Sequence, residues 1–356
     1  MNEENSPYSE VVVIVSGESG MRDLVFPLRA VGVEPPVLSW DELRRTSRLP
    51  HYAFLLRVAA LVSRHRPKWI LTDMHSGFLG IICAEAAEKN VRVAWRLRGD
   101  PFDEASDRMR YFASHWRMFS WAAAALARGA DRIFFQEPDL HLPSSHWLES
   151  QLPPVRRSLV LGLACDTGRF PSREHAGSEQ LRLVSNVNFD CEANVAPLRR
   201  FILRNADFLL ENHISLDVAG SGAGLDDFRL FCDRYRAIRC VNGVDAGEGF
   251  YAQYDGVIHF SAAEAYPMCV LEGQASALPV IASAEGGAQE HIEHNRTGFL
   301  VDPEDSDEVC SLLMHLRSDP SYRNEIGTAA RARVQQTCSK EALGAQLRDA
   351  LHLENG

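Results

Sequence analysis

Two carboxylates stand eight positions apart in the stretch Ser261-Ala-Ala-Glu264-Ala-Tyr266-Pro267-Met268-Cys269-Val270-Leu271-Glu272. The apolar run before them, 256–260, reads as a buried strand, and the residues from 268 onward read as the start of an apolar helix. Pro267 separates the two. It has no N–H to give to a sheet, and its fixed φ suits the first helical position. The helix then opens with the backbone N–H groups of Met268, Cys269 and Val270. A helix leaves these groups without partners of its own, and with its dipole behind them they favour an anion such as phosphate. Glu264 falls just outside that point and Glu272 on the helix wall. A carboxylate beside a phosphate repels it, so both glutamates are expected to accept hydrogen bonds from hydroxyl groups. Phosphate flanked by two hydroxyl-bearing rings is the outline of a nucleotide sugar.

The elements that must position these residues alternate along the chain. In the first half, strands are expected at 11–15, 36–40, 69–72, 91–97 and 131–135. Helices are expected at 24–31 (bent at Pro27), 51–64, 77–89 and 104–128. The composition shifts over 153–180, through Pro153-Pro154 and a Ser/Gly-rich stretch, and reads as a linker. Alternation then resumes, with strands at 181–187, 215–219, 238–241, 256–260 and 280–283, and closing helices at 306–318, 320–335 and 339–353. Repeated βα order predicts parallel sheets covered on both faces, with ligands at the carboxyl ends of the strands.

Composition narrows the function classes. The chain has 356 residues, enough for two domains, and a net charge of −11 that argues against broad nucleic-acid binding. No apolar run approaches the roughly 20 residues of a membrane span. The polar, acidic opening Met1-Asn-Glu-Glu-Asn-Ser-Pro7 is unlike a signal peptide. The eight cysteines form no C-x-x-C pair, so free thiols in a reducing cytosol are expected and a zinc site is not.

The second half resembles the retaining glycosyltransferases of GT-B type, in the large group called family 4. Glu264 to Glu272 corresponds to that family's E-x7-E element. The run Leu278-Pro279-Val280-Ile-Ala-Ser283-Ala-Glu-Gly286-Gly287-Ala-Gln-Glu290 is similar to its L-P-V-V-(A/S)-T-x-x-G-G-x-x-E segment, and Asn295-Arg-Thr297-Gly298-Phe-Leu-Val301 to G-x-T-G-x-L-V. Upstream, Cys240-Val-Asn-Gly243-Val244 resembles the loop that holds the base. Val218-Ala-Gly220-Ser-Gly222 resembles the V-G-x-G loop, and 162–170 the interdomain N-G-V-D-x-x-x-F. In the first half, Thr72-Asp-Met-His75 and Arg98-Gly99-Asp100 fall where the family has H-x-H and H-G-D elements. Gly20 falls where a glycine lets the first helix approach the donor.

The resemblance implies roles residue by residue. Glu264 would bind the transferred sugar and Glu272 the ribose hydroxyls. Asn186, Asn188, Val244 and Tyr266 would shape the pocket, and the N–H groups of Met268, Cys269 and Val270 would take the phosphates. Two departures stand out. The family's arginine and lysine after the first strand of the second domain are absent from Val184-Ser-Asn186-Val-Asn188-Phe-Asp190-Cys-Glu192-Ala-Asn194. Arg98 stands where the family has a sugar-facing histidine. Either Arg98 supplies the missing charge, oriented by Asp100, or donor binding is weakened or lost. Asp100 is the alternative acceptor of a proton.

Other features have plainer readings. Gly220-Ser-Gly222-Ala-Gly224 is spaced G-x-G-x-G rather than G-x-G-x-x-G and does not mark a dinucleotide cofactor. His75 reads as a satisfied turn histidine. The aromatic and basic helix at 108–128 reads as first-domain core, with docking on a membrane or a lipid-linked acceptor as the alternative. The expectation is therefore an α/β protein of GT-B fold, two doubly wound Rossmann-like domains with an interdomain cleft. Residues 1–160 would bind the acceptor, with the helix 339–356 packed back on them, and 161–338 the nucleotide sugar. The expected activity is metal-independent, retaining transfer of a sugar to a hydroxyl of a glycan, glycolipid or small molecule. It would need no cofactor and no nucleic acid, and would take place in the cytoplasm or at the cytoplasmic face of the membrane. The alternative is a catalytically silent relative that binds a nucleotide sugar or a partner glycosyltransferase.

Overall fold

The computed structural model describes residues 10–15, 18–46, 56, 57, 60, 61, 63–73, 91–96, 132–135, 158–172, 180–241, 249–261, 264 and 267–353. The chain divides into two units. One takes residues 1–164 and 340–356, the other 165–339. The helices expected at 77–89 and 104–128 lie outside the described residues, as do Arg98, Asp100, Val244, Tyr266 and His75.

Among the described residues, the first unit has six parallel strands: β1 (Val11–Val15), β2 (Val37–Ser39), β3 (Trp69–Thr72), β4 (Arg92–Arg96), β5 (Arg132–Phe135) and β6 (Ser158–Val160), in the order β2-β1-β3-β4-β5-β6. Every residue of β1 and β3 is buried, which is why both read as unbroken apolar runs rather than as alternation. β6 lies inside the stretch expected to be linker. It is a three-residue edge strand, too short to show a period, and it pairs Ser158 with Ile133.

The first helix begins earlier than its sequence suggests. α1 (Glu18–Gly20) runs into a π-helical turn (Met21–Val25) and then α2 (Phe26–Ala30). Pro27 has no N–H for the usual ladder. The chain absorbs the defect by widening, with the Phe26 N–H donating to the Met21 carbonyl five residues back. Beyond β2 lies α3 (Trp40–Thr46).

The second unit also has six parallel strands, in the order β12-β11-β10-β7-β8-β9. These are β7 (Leu181–Asn188), β8 (Ile214–Ser221), β9 (Ile238–Cys240), β10 (Gly256–His259), β11 (Val280–Ser283) and β12 (Phe299–Val301). Between and after them run α4 (Glu192–Glu211), α5 (Leu225–Cys232), α6 (Met268–Ala275), α7 (Ser306–Ser318) and α8 (Pro320–Thr337). Asp305 and Asp319 cap α7 and α8, each carboxylate accepting a backbone N–H of its helix's first turn. Phe201, Phe228, Phe260 and Phe299 are among the side chains that fill the core.

The last helix, α9 (Lys340–Leu351), belongs to the first unit. Leu343, Leu347 and Leu351 recur at the four-residue spacing of one helical face and are fully buried beside Leu24, Val25 and Leu28. Each contributes roughly 2 kcal/mol by leaving water. The indole N–H of the buried Trp69 donates to the Leu351 carbonyl at 2.8 Å, tying the end of α9 to β3.

Candidate active site

In a doubly wound sheet the loops at a reversal of strand order diverge and leave a crevice beyond the carboxyl ends. In the second unit the reversal lies between β7 and β10. The carboxyl end of β7 carries Asn186 and Asn188, and the loop after β10 carries Glu264 and leads into α6. Topology thus brings to one reversal point residues that lie nearly eighty positions apart in sequence.

The loop after β10 is fixed mainly by hydrogen bonds. Ser261 Oγ donates to Asn194 Oδ1 on α4 at 3.0 Å and accepts the Glu264 N–H at 3.2 Å. The Ser261 N–H donates to Ser283 Oγ at 3.2 Å, and the Gly287 N–H donates to the Glu264 carbonyl at 3.1 Å. The backbone of Glu264 is therefore held at both its N–H and its carbonyl. Its side chain is 29% exposed, and burial raises its carboxyl to about 7. A carboxyl with this value is half ionised near neutral pH, and its charge is available to a hydroxyl donor.

Glu272, on the second turn of α6, is held differently. The phenol of the buried Tyr251 donates to its Oε2 at 2.9 Å, and the Asn186 amide is near enough to favour the ionised phenol slightly. Burial, then the Glu272 carboxylate, pushes the Tyr251 hydroxyl well above its ordinary value, so it stays protonated and remains a donor. Tyr251 and Glu272 form a hydrogen-bonded pair near the reversal point, with Asn186 beside the phenol. Asn188 is exposed, and its Oδ1 accepts the Asp190 N–H at 3.0 Å, shaping its own turn.

The start of α6 differs from the sequence expectation. Pro267 is not the first helical residue. It is the N-cap, with extended backbone (φ −74, ψ 104), and the helix begins at Met268. The Pro267 carbonyl accepts the Val270 N–H at 3.1 Å. Val270 is thereby removed from the expected set of anion donors, which narrows to the Met268 and Cys269 N–H groups.

The glycines at and just beyond the end of β8 have a packing explanation. A Cβ on Gly220, whose φ is +150°, would lie 1.9 Å from the Val187 carbonyl oxygen. The next turn is joined to the same segment, with the Ala223 N–H donating to Asp190 Oδ1 at 2.7 Å. The glycines let the β8 loop lie against the β7 turn.

In the first unit, Gly20 occupies the corresponding reversal, between β1 and β3. A Cβ there would lie 2.6 Å from Asp73 Oδ2 and 2.7 Å from the Val15 side chain. The glycine allows the first helix to descend onto the strand ends. Sequence reasoning passed over Ser261, Asn194, Tyr251 and His259. Ser261 and His259 stood beside Glu264 in the sequence, whereas Asn194 and Tyr251 gave no local signal.

Residues 201–333, from within α4 to within α8, match the family described as glycosyl transferases group 1. This segment, just over a third of the chain, is similar to that family. A mannosyltransferase of Corynebacterium glutamicum, named as GDP-mannose-dependent and acting on a monoacylated phosphatidylinositol monomannoside, is 40% identical over 84 residues. The match covers 24% of this chain and 22% of that protein. The D-inositol 3-phosphate glycosyltransferase of an Arthrobacter species is 34% identical over 87 residues, 24% of this chain and 21% of the relative. The chain thus spans about a fifth of the length of the curated relatives it matches. Among solved structures, Anabaena HepE in complex with UDP aligns over 97% of this chain and 100% of its own, with a TM-score of 0.69 at 14% identity. A glycosyltransferase from Rickettsia africae aligns over 97% and 100%, with a TM-score of 0.70 at 14% identity. The fold is GT-B.

Proposed function

We propose that this protein is a glycosyltransferase that moves a sugar from a nucleotide-sugar donor to a hydroxyl acceptor with retention of configuration. The observation that carries this reading is the pair Glu264 and Glu272. They flank the start of α6 at the β7/β10 reversal, within a segment that matches the glycosyl transferases group 1 family. The Met268 and Cys269 N–H groups bind the diphosphate, Glu272 accepts the ribose hydroxyls, and Glu264 accepts a hydroxyl of the transferred sugar. Asn186, Asn188, Val244 and Tyr266 set the choice of base and sugar, and Gly20 gives the donor room at the first unit's strand ends. Arg98, oriented by Asp100, supplies the positive charge that the β7 turn lacks. The two glutamates bind rather than exchange protons. The leaving phosphate takes the acceptor's proton on the same face of the sugar, which is the route to retention.

The acceptor is a glycan, a glycolipid or a small molecule bound by the first unit. No helix among the described residues is long and apolar enough to cross a membrane. This reading places the reaction in the cytoplasm, with peripheral contact at the membrane where the acceptor is lipid-linked. A second reading has one observation in its favour: residues 184–194 contain neither arginine nor lysine. A silent relative that binds a nucleotide sugar or a partner enzyme would also look like this.

Thermal unfolding with a panel of UDP-, GDP- and ADP-sugars, followed by product detection in EDTA, separates the readings. A donor that stabilises the protein and is consumed supports the transferase. No stabilisation by any donor sinks it, and binding without turnover across many acceptors favours the silent relative. Turnover that requires an added divalent cation would correct the metal-free part. Within the same reading, Tyr251→Phe removes the hydroxyl that holds Glu272. Nucleotide affinity is expected to fall roughly five- to tenfold by calorimetry, the size of one ordinary hydrogen bond felt through the carboxylate it positions. Unchanged affinity would mean that Glu272 does not contact the nucleotide.

A further inference from the structure

His259 ends β10 and Cys269 lies in the first turn of α6, and both are buried. The Cys269 Sγ is 3.1 Å from His259 Nδ1, and His259 Nε2 is 3.7 Å from Glu264 Oε2. Thiol, imidazole and carboxylate therefore stand in line, with one ring nitrogen toward each neighbour.

The protons in this line can be placed. Burial holds the imidazole at about 4 and pushes the thiol well above its ordinary value. Near neutral pH the ring is uncharged with one N–H, and the thiol keeps its S–H. If the ring proton sat on Nδ1, its partner would be sulfur, a weak acceptor, and the Nε2 lone pair would face a carboxylate oxygen. If it sits on Nε2, the thiol donates to Nδ1 and the N–H faces the carboxylate. The second arrangement gives the thiol proton a nitrogen acceptor and turns the N–H, not a lone pair, toward the carboxylate whenever Glu264 is ionised. At 3.7 Å the Nε2–H acts on the carboxylate as an oriented dipole rather than as a direct hydrogen bond. Two apolar side chains would fill this space without the cost of burying polar atoms, so packing alone does not call for a histidine and a cysteine here.

We propose that Cys269 and His259 are positioning residues: the thiol locks the imidazole in its Nε2–H tautomer, and that N–H orients the Glu264 carboxylate toward the sugar of the donor. The proposal rests on the reading of Glu264 as the sugar-binding carboxylate.

The test uses the full chain labelled with 15N-histidine, with His259 assigned from the spectrum of His259→Gln. Long-range proton–nitrogen spectra at pH 8 are expected to show His259 as the Nε2–H tautomer. Cys269→Ser, which keeps a donor, is expected to preserve that signature. Cys269→Val is expected to give a mixture of tautomers. An Nδ1–H tautomer in the unaltered protein overturns the lock, as does a signature that Cys269→Val leaves unchanged. The unaltered protein alone decides the first point, whether or not a variant folds. For the orienting step, UDP-glucose and GDP-mannose are titrated against UDP and GDP. His259→Leu is expected to weaken the sugar nucleotide roughly fivefold relative to its nucleoside diphosphate. An unchanged ratio overturns the orienting step. If the unaltered protein binds none of these sugar nucleotides, the transferase reading fails and the orienting step with it, while the spectra still decide the lock.

Discussion

Glu264→Gln is expected to lose transfer activity and gain stability at once. In the proposed site the carboxylate accepts a charge-assisted hydrogen bond from a sugar hydroxyl, and the amide replaces it with a neutral one. The loss in kcat/KM is expected to be about a hundredfold, the scale of one strong interaction in a water-poor site. The stability gain follows from the raised carboxyl. Burial brings Glu264 from 4.5 to about 7, so the folded chain holds this proton more tightly than the unfolded chain does. Wild-type stability therefore falls as pH rises from about 4.5 to about 7 and stays at the lower level above that. The full penalty is on the order of 3 kcal/mol at pH 8, and glutamine does not incur it. Urea unfolding at pH 4.5 and pH 8 checks the sign. The variant should match wild type at the lower pH and exceed it at the higher. A variant no more stable at pH 8 would mean that the carboxylate is not held against its preference.

Gly327→Ala is expected to have the largest effect on stability. Gly327 lies on α8 where that helix crosses the end of α6. A Cβ there would stand 1.9 Å from the Ala277 carbonyl oxygen and 2.6 Å from its carbon. Both are backbone atoms, and Ala277 already sits at φ +58° to turn the chain out of α6, so neither side has slack. Moving α8 away also disturbs Arg331, one turn further on. Its guanidinium donates to the Phe170 carbonyl at 2.5 Å and also to the Ala275 carbonyl at the end of α6. The expected cost is about 3 kcal/mol, a fall in the unfolding midpoint of the second unit of roughly 6–12 °C. Calorimetry reads it directly. An unchanged midpoint would show that the two helices are not in this close contact.

Which parts of this were legible in the sequence follows from the range of each interaction. β1 and β3 are buried on both faces, and their apolar runs declared them. β6 and β12 are three-residue edge strands with no period to read, and they exist because a neighbouring strand offers hydrogen bonds. Pro27 suggested a bend and a late helix start, since local rules do not say that a π-turn will carry a helix through a proline. At the site, Glu264 and Glu272 showed in their spacing and in the ordered motifs after them. The groups that hold them did not. Asn194 reaches Ser261 across 67 positions, and Tyr251 reaches Glu272 from the far side of an intervening strand. Such pairs exist only once the sheet has brought β7 beside β10. The offset at Pro267 is of another kind. Residue type fixed its φ, but ψ decides whether a proline opens a helix or stands just before it, and here ψ is extended.

The return of α9 to the first unit bears on how the chain is made. The second unit is complete at Ser339, where a bridge to Cys165 and the bond from the Cys165 N–H to the Cys338 carbonyl close its two ends together. The first unit begins at the amino terminus, yet it waits for Leu343, Leu347 and Leu351 to cover its core and for the Leu351 carbonyl to take the Trp69 indole. On the ribosome, the half that emerges first is therefore the last to finish. For the time it takes to synthesise some 175 residues, the apolar strands of the first unit lack their closing helix. The later half can already fold and hold its site in place while the earlier half still waits.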